Sequence, residues 1–444
     1  MDWKSLEPEI LDYYSHLIRI DTSSPPGNET KAAEYVKGVL ERAGIPSQIF
    51  EKEPGRGNLV ARLKGTGSKK PILLMGHLDV VGVQREKWSV DPFAALRRNG
   101  FIYGRGTIDD KDKVASVLMV TLLLKRLKVP LDRDVILLNE AGEEGTSDLG
   151  IGFMVDQHWD KIACEYAVTE GGGISARDGK VRMVEIATTE KRPAAVRLVA
   201  HGEAGHGSQP RLTNAIIHLA AAIEKVSTNQ PPMRLNDTTR TYFERLATIS
   251  SPAEADRYNH LTDPSRSAAI QAYFAQHELA HYSILRTSVV PTIVKAGFRV
   301  NVIPSEAEAT LDIRALPDED LTRFYEYLRK EINDPTVEII PNRSLLRPEG
   351  PPSRIDTEMF QAFEAVQKEM FPGAVTVPSM LTGATDNAQL RAKGVEAYGF
   401  GPIVDEKIAA GPGGAHGDDE RLMESSLYKE VEFLWRSVER VVTH

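Results

Sequence analysis

Histidines and carboxylates recur at five places where this sequence predicts a strand end or a glycine-rich loop. They lie in GHLD, GRGTIDD, GEEG, TEGGG and GGAHGDDE, and they are His77, Asp109, Glu143, Glu144, Glu170 and His416. Two histidines with several carboxylates offer the nitrogen and oxygen ligands that zinc and similar divalent ions accept. Because the ligands are few, one carboxylate has to bridge if two ions bind. Each acid alone is typical of a solvated loop, but the five places together predict a two-metal site.

The elements that must position these residues are buried strands. Residues 71–79, PILLMGHLD, form an apolar run closed by glycine, which is typical of such a strand. In an open α/β sheet, chemistry gathers just past the carboxyl ends of the strands. His77 and Asp79 would lie there on one side of an extended segment, where the acid can fix the tautomer of the histidine. VILLNEAGEEG and YAVTEGGG repeat this pattern of a strand followed by acids.

The composition limits the function classes. The chain has 444 residues, which predicts two or three domains, and its 41% hydrophobic and 26% charged content is that of an ordinary soluble globular protein. A net charge of −9 without a long basic run argues against nucleic acid or an acidic membrane as a partner. Cys164 is the single cysteine, so an intramolecular disulfide is excluded. No segment approaches the roughly 20 apolar residues of a membrane span.

The first residues, MDWKSLEPEI, contain no signal-peptide apolar region. The default expectation is therefore a cytoplasmic protein, and removal of an earlier signal stays open.

A change of pattern near Lys191 predicts the domain organisation. Up to VRMVEIATTE the chain alternates strands and helices, whereas the next part combines a helical stretch, a hairpin and further strands. After the proline-rich LLRPEGPPSR the α/β pattern resumes. We therefore expect an α/β catalytic domain made of residues 1–190 and 348–444, interrupted by an α+β lid at residues 191–347.

At this point the sequence resembles a known family, the two-metal peptidases and deacylases. This family includes aminoacylase, carboxypeptidase G, carboxypeptidase S and succinyl-diaminopimelate desuccinylase. The resemblance extends from the first helix to HGDDE, and the motifs that carry it are GHLDVV, YGRGTIDDK, GEEG, GHGSQP, NVIP with the later DIR, and AHGDDE. WSVDPFA and EGG are most similar to the carboxypeptidase S and N-acyl-amino-acid hydrolase branch. The implied fold is phosphorylase/hydrolase-like, with a mixed central sheet flanked by helices and an inserted dimerisation-type lid.

The resemblance also implies a role for each residue of the site. His77 and Glu170 would bind one metal ion, Glu144 and His416 the other, and Asp109 would bridge the two. The family implies two divalent ions, with zinc expected and manganese or cobalt as alternatives. A further implication is a cis peptide bond between Asp109 and the next residue.

Glu143 is implied to be the general base, which passes a proton from water to the leaving amine. Asp79 would orient His77.

Three lid residues are implied to touch the substrate. His206, in GHGSQP, would stabilise the oxyanion, and in dimeric relatives it reaches across from the other subunit. Asn301 and Arg314 lie at the two ends of the predicted hairpin and would hold the substrate, with the arginine gripping a free carboxylate. A homodimer through the lid is therefore one expectation, and an enlarged lid that replaces the second copy is another.

The sequence departs from the family pattern at two places, and the second lies where the family shapes the pocket around the substrate carboxylate. Asp112 stands where a glycine is usual, and GATDN replaces the usual Gly-Gly-Thr-Asp while retaining Asp386. Residues 231–290 are also longer and more helical than in compact lids. Two interpretations of this stretch stay open: an apolar acyl pocket, or aromatic side chains that pack the helices of the lid. The aromatic side chains concerned are Phe243, Tyr258, Tyr273 and Phe274.

The leading functional hypothesis is a metal-dependent hydrolase of amide bonds next to a free carboxylate. Its substrates would be N-acyl amino acids or short peptides. An aminopeptidase or dipeptidase of the same two-metal fold is the second hypothesis, and a catalytically silent protein that binds peptides or amino acids is the third. Glu143 argues against the silent protein because a binder has no use for a base. A serine hydrolase is disfavoured since the sequence has no GxSxG motif.

Overall fold

The computed structural model describes residues 1–177, 179–409 and 411–443. Its α-helices are α1 (Glu7–Arg19), α2 (Glu29–Arg42), α3 (Lys111–Arg126), α4 (Ile151–Gln157), α5 (Trp159–Ile162), α6 (Ala215–Thr228), α7 (Asp237–Ala247), α8 (Pro252–Asn259), α9 (Ser267–His277), α10 (Leu279–Ile284), α11 (Leu321–Ile332), α12 (Glu358–Met370), α13 (Asn387–Ala392), α14 (Glu406–Ala409) and α15 (Glu424–Val442). None of these described helices combines the length and apolar character needed to cross a membrane.

The strands belong mainly to one large sheet and one smaller sheet. In chain order they are β1 (Ser23–Ser24), β2 (Ser47–Glu51), β3 (Gly57–Leu63), β4 (Ile72–His77), β5 (Val80–Val81), β6 (Leu96–Arg98), β7 (Phe101–Tyr103), β8 (Val135–Glu140), β9 (Tyr166–Thr169), β10 (Gly173–Arg177), β11 (Lys180–Glu190), β12 (Arg192–Pro193), β13 (Val196–His201), β14 (Gly205–His206), β15 (Ser288–Ala296), β16 (Val302–Ile303), β17 (Glu306–Ala315), β18 (Val337–Pro341), β19 (Val375–Leu381), β20 (Glu396–Gly399), β21 (Ile403–Asp405) and β22 (Arg421–Met423).

The large sheet is mixed and has the order β2-β3-β8-β4-β9-β20-β11-β10-β21, with β19 paired to β11. Its centre is parallel, because β4 pairs in parallel with both β8 and β9. The central strands are continuous apolar runs since helices cover both faces of the sheet. The carboxyl ends of three neighbouring strands therefore meet at one edge of the sheet.

The second sheet is built from β12, β13, β15, β17 and β18, and its pairs are antiparallel. Helices α6 and α11 pack on one face of it through a separate apolar core. The burial of β17 alternates strictly between more and less accessible positions, as expected for a sheet with a single covered face. Strand β15 lies at the edge and pairs with β17 alone among the described strands.

Helices α7 to α10 pack on the large sheet. Phe243, Tyr258 and Phe274 form a buried cluster with Val377 and Met380 of β19. Tyr273 is partly exposed and stacks against Arg257. The guanidinium carbon of Arg257 lies 4.0 Å from the centroid of the Tyr273 ring. The aromatic side chains of this stretch therefore pack helices onto the sheet. This outcome agrees with the packing interpretation and leaves the apolar acyl pocket without support from these residues.

The predicted fold class is confirmed: a mixed α/β sheet flanked by helices, together with an α+β unit. The strands expected to lead into GHLD, GEEG and TEGGG are present as β4, β8 and β9. The division into residues 1–190 with 348–444 and residues 191–347 stays a prediction.

Helix α3 follows the Asp109 loop, and a buried ion pair fixes it to the C-terminal helix α15. The Lys113 ammonium donates to Glu430, and both side chains are almost fully buried. The same ammonium lies 4.4 Å from the centroid of the Phe400 ring. The start of α3, and with it the loop that carries Asp109, therefore depends on the C-terminal helix.

We expect Lys113→Met to lower the free energy of unfolding by about 3 kcal/mol, because it leaves the buried Glu430 carboxylate without a cation. Adding Glu430→Leu should recover most of that loss, since the charge is then removed as well. The measurement is the urea midpoint by circular dichroism. Lys125→Met, an exposed lysine of the same helix, is the control. Equal destabilisation in the single and double variants would contradict the ion-pair explanation.

Candidate metal centre

Three adjacent parallel strands bring most of the predicted residues to one edge of the large sheet. His77 is the last residue of β4, which lies between β8 and β9. Glu143 and Glu144 lie in the turn after β8, and Glu170 directly follows β9. Neighbouring strands lie about 4.8 Å apart, so side chains at their ends can share one ion. The strand order explains why residues 93 positions apart along the chain meet here.

Asp109 lies in the loop before helix α3. The peptide bond between Asp109 and Asp110 is cis, as the resemblance implied. Asp110 Oδ2 accepts a hydrogen bond from the backbone N–H of His77, with N and O 3.1 Å apart. This contact ties the loop to the end of β4.

His416 comes from the loop before β22, and a buried carboxylate connects this loop to that of Asp109. Glu420 Oε1 accepts from the backbone N–H of Ile108 at 2.7 Å, and its other oxygen accepts from the Arg105 guanidinium. Arg105 also donates to the backbone carbonyl of His416 at 3.3 Å. Glu420 is fully buried, so this network holds the two loops together away from water.

Asp109 lies between the two histidines. Its Oδ1 is 2.9 Å from His77 Nε2, and its Oδ2 is 3.1 Å from His416 Nε2. His416 Nε2 is also 2.9 Å from Glu144 Oε1, and His77 Nε2 is 3.9 Å from Glu170 Oε2. Each histidine is thus paired with its own glutamate, and the aspartate spans both pairs. This arrangement brings together the five residues predicted as ligands.

The donor set fits two divalent ions. Zinc bonds to nitrogen and oxygen are about 2.1 Å long, so two ligand atoms on one tetrahedral ion lie about 3.4 Å apart. The separations of 2.9 to 3.9 Å between ligand atoms in each half of the site bracket that value. Two overlapping groups of potential ligands share His77: one with Asp109 and Glu144, the other with Glu143 and Glu170.

The charges of the cluster reflect these contacts. Burial acts to raise the pKa of Asp109, but hydrogen bonds from His416 and His77 outweigh it and hold that pKa below its usual range. The same hydrogen bonds, to Asp109 and Glu144, raise the pKa of His416 to about 10. Ions that bind here must therefore displace protons from the histidines.

Glu143 lies beside the cluster and also faces a second group of charged residues, Arg347 and Asp386. Burial and the nearby Asp386 carboxylate raise the pKa of Glu143 well above its usual range. Arg347 limits this effect: its Nη2 is 3.6 Å from Glu143 Oε1, and its Nη1 donates to Asp386 at 2.7 Å. A largely buried carboxylate with a raised pKa binds a proton more readily than a solvated one, which suits a general base.

Asp79 supports the turn that carries the base. Its Oδ1 accepts from the backbone N–H groups of Gly142 and Glu143 at 2.9 and 3.1 Å, and its Oδ2 accepts from that of Glu144 at 3.1 Å. His77 Nδ1 contacts the backbone carbonyl of Asp79 at 2.9 Å and its carboxylate at 3.5 Å. The residue predicted to orient His77 therefore also holds Glu143 and Glu144 in place.

The three residues expected to bind the substrate lie outside the large sheet. His206 is exposed on β14, where it pairs with β16 next to Asn301. Arg314 lies near the end of β17, and its Nε donates to Asp312 at 2.9 Å. Within the described chain, none of the three reaches the metal ligands by a hydrogen bond or ion pair. The structure thus places His206 and Asn301 together but leaves both apart from the cluster.

The tautomer of His206 follows from its contacts. Its Nδ1 accepts from the backbone N–H of Ser208 at 3.2 Å and lies 2.7 Å from the Ser208 hydroxyl. Because Nδ1 accepts, the neutral ring carries its proton on Nε2. That nitrogen is then a hydrogen-bond donor.

Sequence reasoning missed several residues that shape the site. Arg347 contacts Glu143, Glu420 holds the loops of Asp109 and His416 through Ile108 and Arg105, and the buried Glu140 interacts with Asp386 and Glu143. The signals were slight: Arg347 lies in the proline-rich return segment, and Glu420 ends the AHGDDE motif already noted. Only the folded chain brings these residues beside Glu143 and Asp109.

A family model described as Peptidase family M20/M25/M40 matches residues 73–440. The N-fatty-acyl-amino acid synthase/hydrolase PM20D1 of Xenopus tropicalis is 28% identical over 445 residues, which cover 96% of this chain and 84% of that protein. The probable carboxypeptidase S-like 2 of Dictyostelium discoideum is 29% identical over 393 residues, 86% of this chain and 74% of that protein. A solved structure, the M20 family metallo-carboxypeptidase Sso-CP2 from Sulfolobus solfataricus, has a TM-score of 0.70 at 20% identity, covering 98% of this chain and all 100% of its own.

We expect Asp79→Asn to weaken divalent-ion binding by about 10- to 100-fold. An amide keeps only one acceptor oxygen and turns an NH₂ group toward a backbone N–H of the 142–144 turn. The measurement is competition for zinc against a calibrated chelator. Asp91→Asn is the matched control, because Asp91 also accepts a backbone N–H, from Phe93, but lies exposed. Unchanged affinity in Asp79→Asn would contradict a supporting role for this carboxylate.

Proposed function

This chain belongs to peptidase family M20/M25/M40, and we propose that it hydrolyses N-acyl amino acids or short peptides at the amide bond next to a free carboxylate. The observation that carries the proposal is Asp109, whose two oxygens face His77 and His416 while Glu143 lies beside the same cluster. A bridging carboxylate with a neighbouring base is the arrangement that hydrolysis by two ions requires.

We assign His77 and Glu170 to one ion, Glu144 and His416 to the other, and Asp109 to both. When bound, the ions supply Lewis-acid polarisation of water and of the substrate carbonyl. Zinc is the proposed metal because the ligand atoms are nitrogen and oxygen at tetrahedral separations, with manganese and cobalt as alternatives.

Glu143 is the proposed general base. Its carboxylate takes a proton from the attacking water as the new C–O bond forms, and delivers it to the amine nitrogen as the C–N bond breaks. Burial raises the pKa of Glu143, which makes its carboxylate a stronger base for the first transfer. Arg347 limits the rise in the pKa of Glu143, since its guanidinium lies beside the carboxylate.

Three residues outside the large sheet are proposed to bind the rest of the substrate. His206 donates from Nε2 to the oxyanion, which agrees with the acceptor role of its Nδ1. Asn301 holds the substrate backbone, and Arg314 receives its carboxylate through two parallel hydrogen bonds. We propose that these residues belong to an inserted lid, residues 191–347, between two parts of a catalytic domain formed by residues 1–190 and 348–444.

The test is amino-acid release from paired substrates. Each N-acyl amino acid or dipeptide is offered as the free acid and as its C-terminal amide, with and without a chelator. We expect cleavage of the free acids alone, and complete loss with the chelator. Glu143→Gln should lower kcat by about 10²- to 10⁴-fold with bound metal unchanged, because only the proton transfer is lost. Glu439→Gln, at a partly exposed position near the end of α15, is the control.

Other outcomes would favour the alternative functions. Equal cleavage of acids and amides would contradict the role of Arg314. An aminopeptidase would stop acting on substrates whose amino terminus is blocked, whereas the proposed enzyme would not. Tight ligand binding without any turnover by the metal-loaded protein would favour the silent binder and overturn the proposal.

We also propose that two copies of the chain pair through the second sheet. Strand β15 is an edge strand, and apolar side chains on and next to it are strongly exposed: Val290, Ile293, Val294, Phe298 and Val300. The start of α6 adds a second exposed apolar group, Leu212, Ile216 and Ile217. A long apolar edge strand exposes unpaired backbone groups that a second strand can satisfy. In such a dimer, the second copy supplies a His206 to the metal-ligand cluster, with which the His206 of the same chain forms no hydrogen bond or ion pair among the described residues.

We expect sedimentation to give a dimer whose association weakens at least tenfold in Ile293→Lys, because the charge would be buried at the paired edge. Leu279→Lys, at an exposed leucine of α10 outside this surface, should leave the dimer intact. A wild-type monomer at micromolar concentration would contradict the proposal.

A further inference from the structure

A cavity of about 500 Å³ opens directly beside the metal ligands. Asp109 and Glu170 lie on its wall, so any molecule in it is adjacent to the reacting bond. Its far side is formed by the segments after β20 and before His416, with Phe400, Pro402 and Ala415 among the lining residues. This position suits the acyl half of the substrate, because the amino-acid half extends toward the proposed lid.

Glycines let one wall of the cavity pack closely against the sheet. Gly171, Gly172 and Gly173 all have positive φ and follow Glu170 directly. A Cβ on Gly172 would lie 2.4 Å from the carbonyl oxygen of Glu185, which is too close for any other residue. The wall therefore lies against β11, and the side chains of β11 decide the chemistry of the cavity.

Glu185 is the residue of β11 that lines this cavity. Val184 and Ile186 on either side of it point into the main core, so Glu185 faces the opposite side of the sheet. It shares that face with Val377, its partner on β19, which belongs to the cluster under α7. The carboxylate thus lies between an apolar cluster and the cavity.

The carboxylate of Glu185 has no partner among the residues that the structure describes. No hydrogen bond or ion pair reaches it there, and burial raises its pKa to about 7. The nearby Tyr242 already contacts His281 through its hydroxyl, at 3.2 Å. Glu185 is half-buried on its strand, and its carboxylate is free to accept a hydrogen bond from a ligand that brings a donor.

The other acids of the cavity are already engaged. Asp109 and Glu170 belong to the proposed metal ligands, and Asp110 accepts from the backbone of His77. Glu406 is paired with the guanidinium of Arg177 at 2.6 Å. Glu185 is therefore the acid on this wall that is available to a substrate.

We propose that this cavity binds the acyl group of the substrate and that Glu185 selects acyl groups carrying an ammonium or N–H donor. The inference rests on the proposed function, because the same metal cluster must cleave the bond. An acyl chain with a terminal amine places its cation against the half-buried carboxylate, where a charge-assisted hydrogen bond forms. An unbranched alkyl chain of equal length leaves the carboxylate desolvated and unpaired, so it is the disfavoured substrate.

The test compares pairs of substrates that differ by one amine. N-(γ-aminobutanoyl) and N-pentanoyl derivatives of the amino acid released fastest are isosteric, and N-(ε-aminohexanoyl) with N-heptanoyl forms a longer pair. We expect kcat/KM to favour the amine member of at least one pair by about tenfold. Glu185→Gln should abolish that preference, and Glu185→Leu should reverse it, while N-acetyl substrates are cleaved at the wild-type rate.

Glu406→Gln is the matched control, because it removes a carboxylate from the same wall that Arg177 already engages. It should leave the preference intact. Glu185→Gln should not lower the thermal midpoint, since it removes a charge without a partner. A preference that survives in both Glu185 variants, or alkyl chains cleaved as fast as amines by the wild type, would overturn the inference.

The outcomes separate this inference from the proposed function. If N-acetyl amino acids are cleaved but the paired substrates are not distinguished, the inference alone fails. If no N-acyl amino acid is cleaved, the proposed function fails, and calorimetric binding of free γ-aminobutyrate against pentanoate still tests the cavity. Tighter binding of the amine, lost in Glu185→Gln, supports the inference, and equal binding of the two acids contradicts it.

Discussion

The structure depends on how it accommodates many carboxylates at one edge of a sheet. Within this small region lie Asp79, Asp109, Asp110, Glu140, Glu143, Glu144, Glu170 and Asp386. Close carboxylates repel one another, and burial adds to that cost: burial raises the pKa values of Glu140, Glu143 and Glu170, whereas hydrogen bonds from the histidines lower that of Asp109. Each charge needs its own compensation: backbone N–H groups for Asp79, two histidines for Asp109, and a guanidinium for Asp386. Two divalent ions would compensate much of the remainder, which explains why the fold can keep so many acids together.

This requirement links distant parts of the chain. Parallel strands bring His77, Glu144 and Glu170 together, but they do not supply the second histidine. His416 comes from the C-terminal part, and the buried pair of Arg105 with Glu420 holds its loop against that of Asp109. The last helix, in turn, fixes the start of α3 through Glu430. Metal binding therefore depends on the packing of the C-terminal part, because neither half of the chain contains the complete ligand set.

The ligands could be predicted from the sequence because they follow a local rule. A histidine or an acid lies at the end of each buried apolar strand or within four residues after it, in a segment that contains glycine, so His77, Glu144 and Glu170 are visible without knowledge of the fold. Arg347 obeys no such rule, since only the return from the second unit places its guanidinium between Glu143 and Asp386. The packing of Phe243 and Phe274 on β19 was open for the same reason: aromatic residues at helical spacing do not say which surface they cover. Glu185 was not noticed because one acid in a strand matches the usual alternation.

Glu185 differs from the other acids of the site in what compensates it. Asp79 accepts three backbone hydrogen bonds and Asp109 contacts two histidines, whereas the half-buried Glu185 accepts no hydrogen bond from the described residues. A leucine or methionine there would pack against Val377 and stabilise the sheet, so the carboxylate lowers stability without a structural benefit. Proteins retain such local conflicts mainly where function requires them.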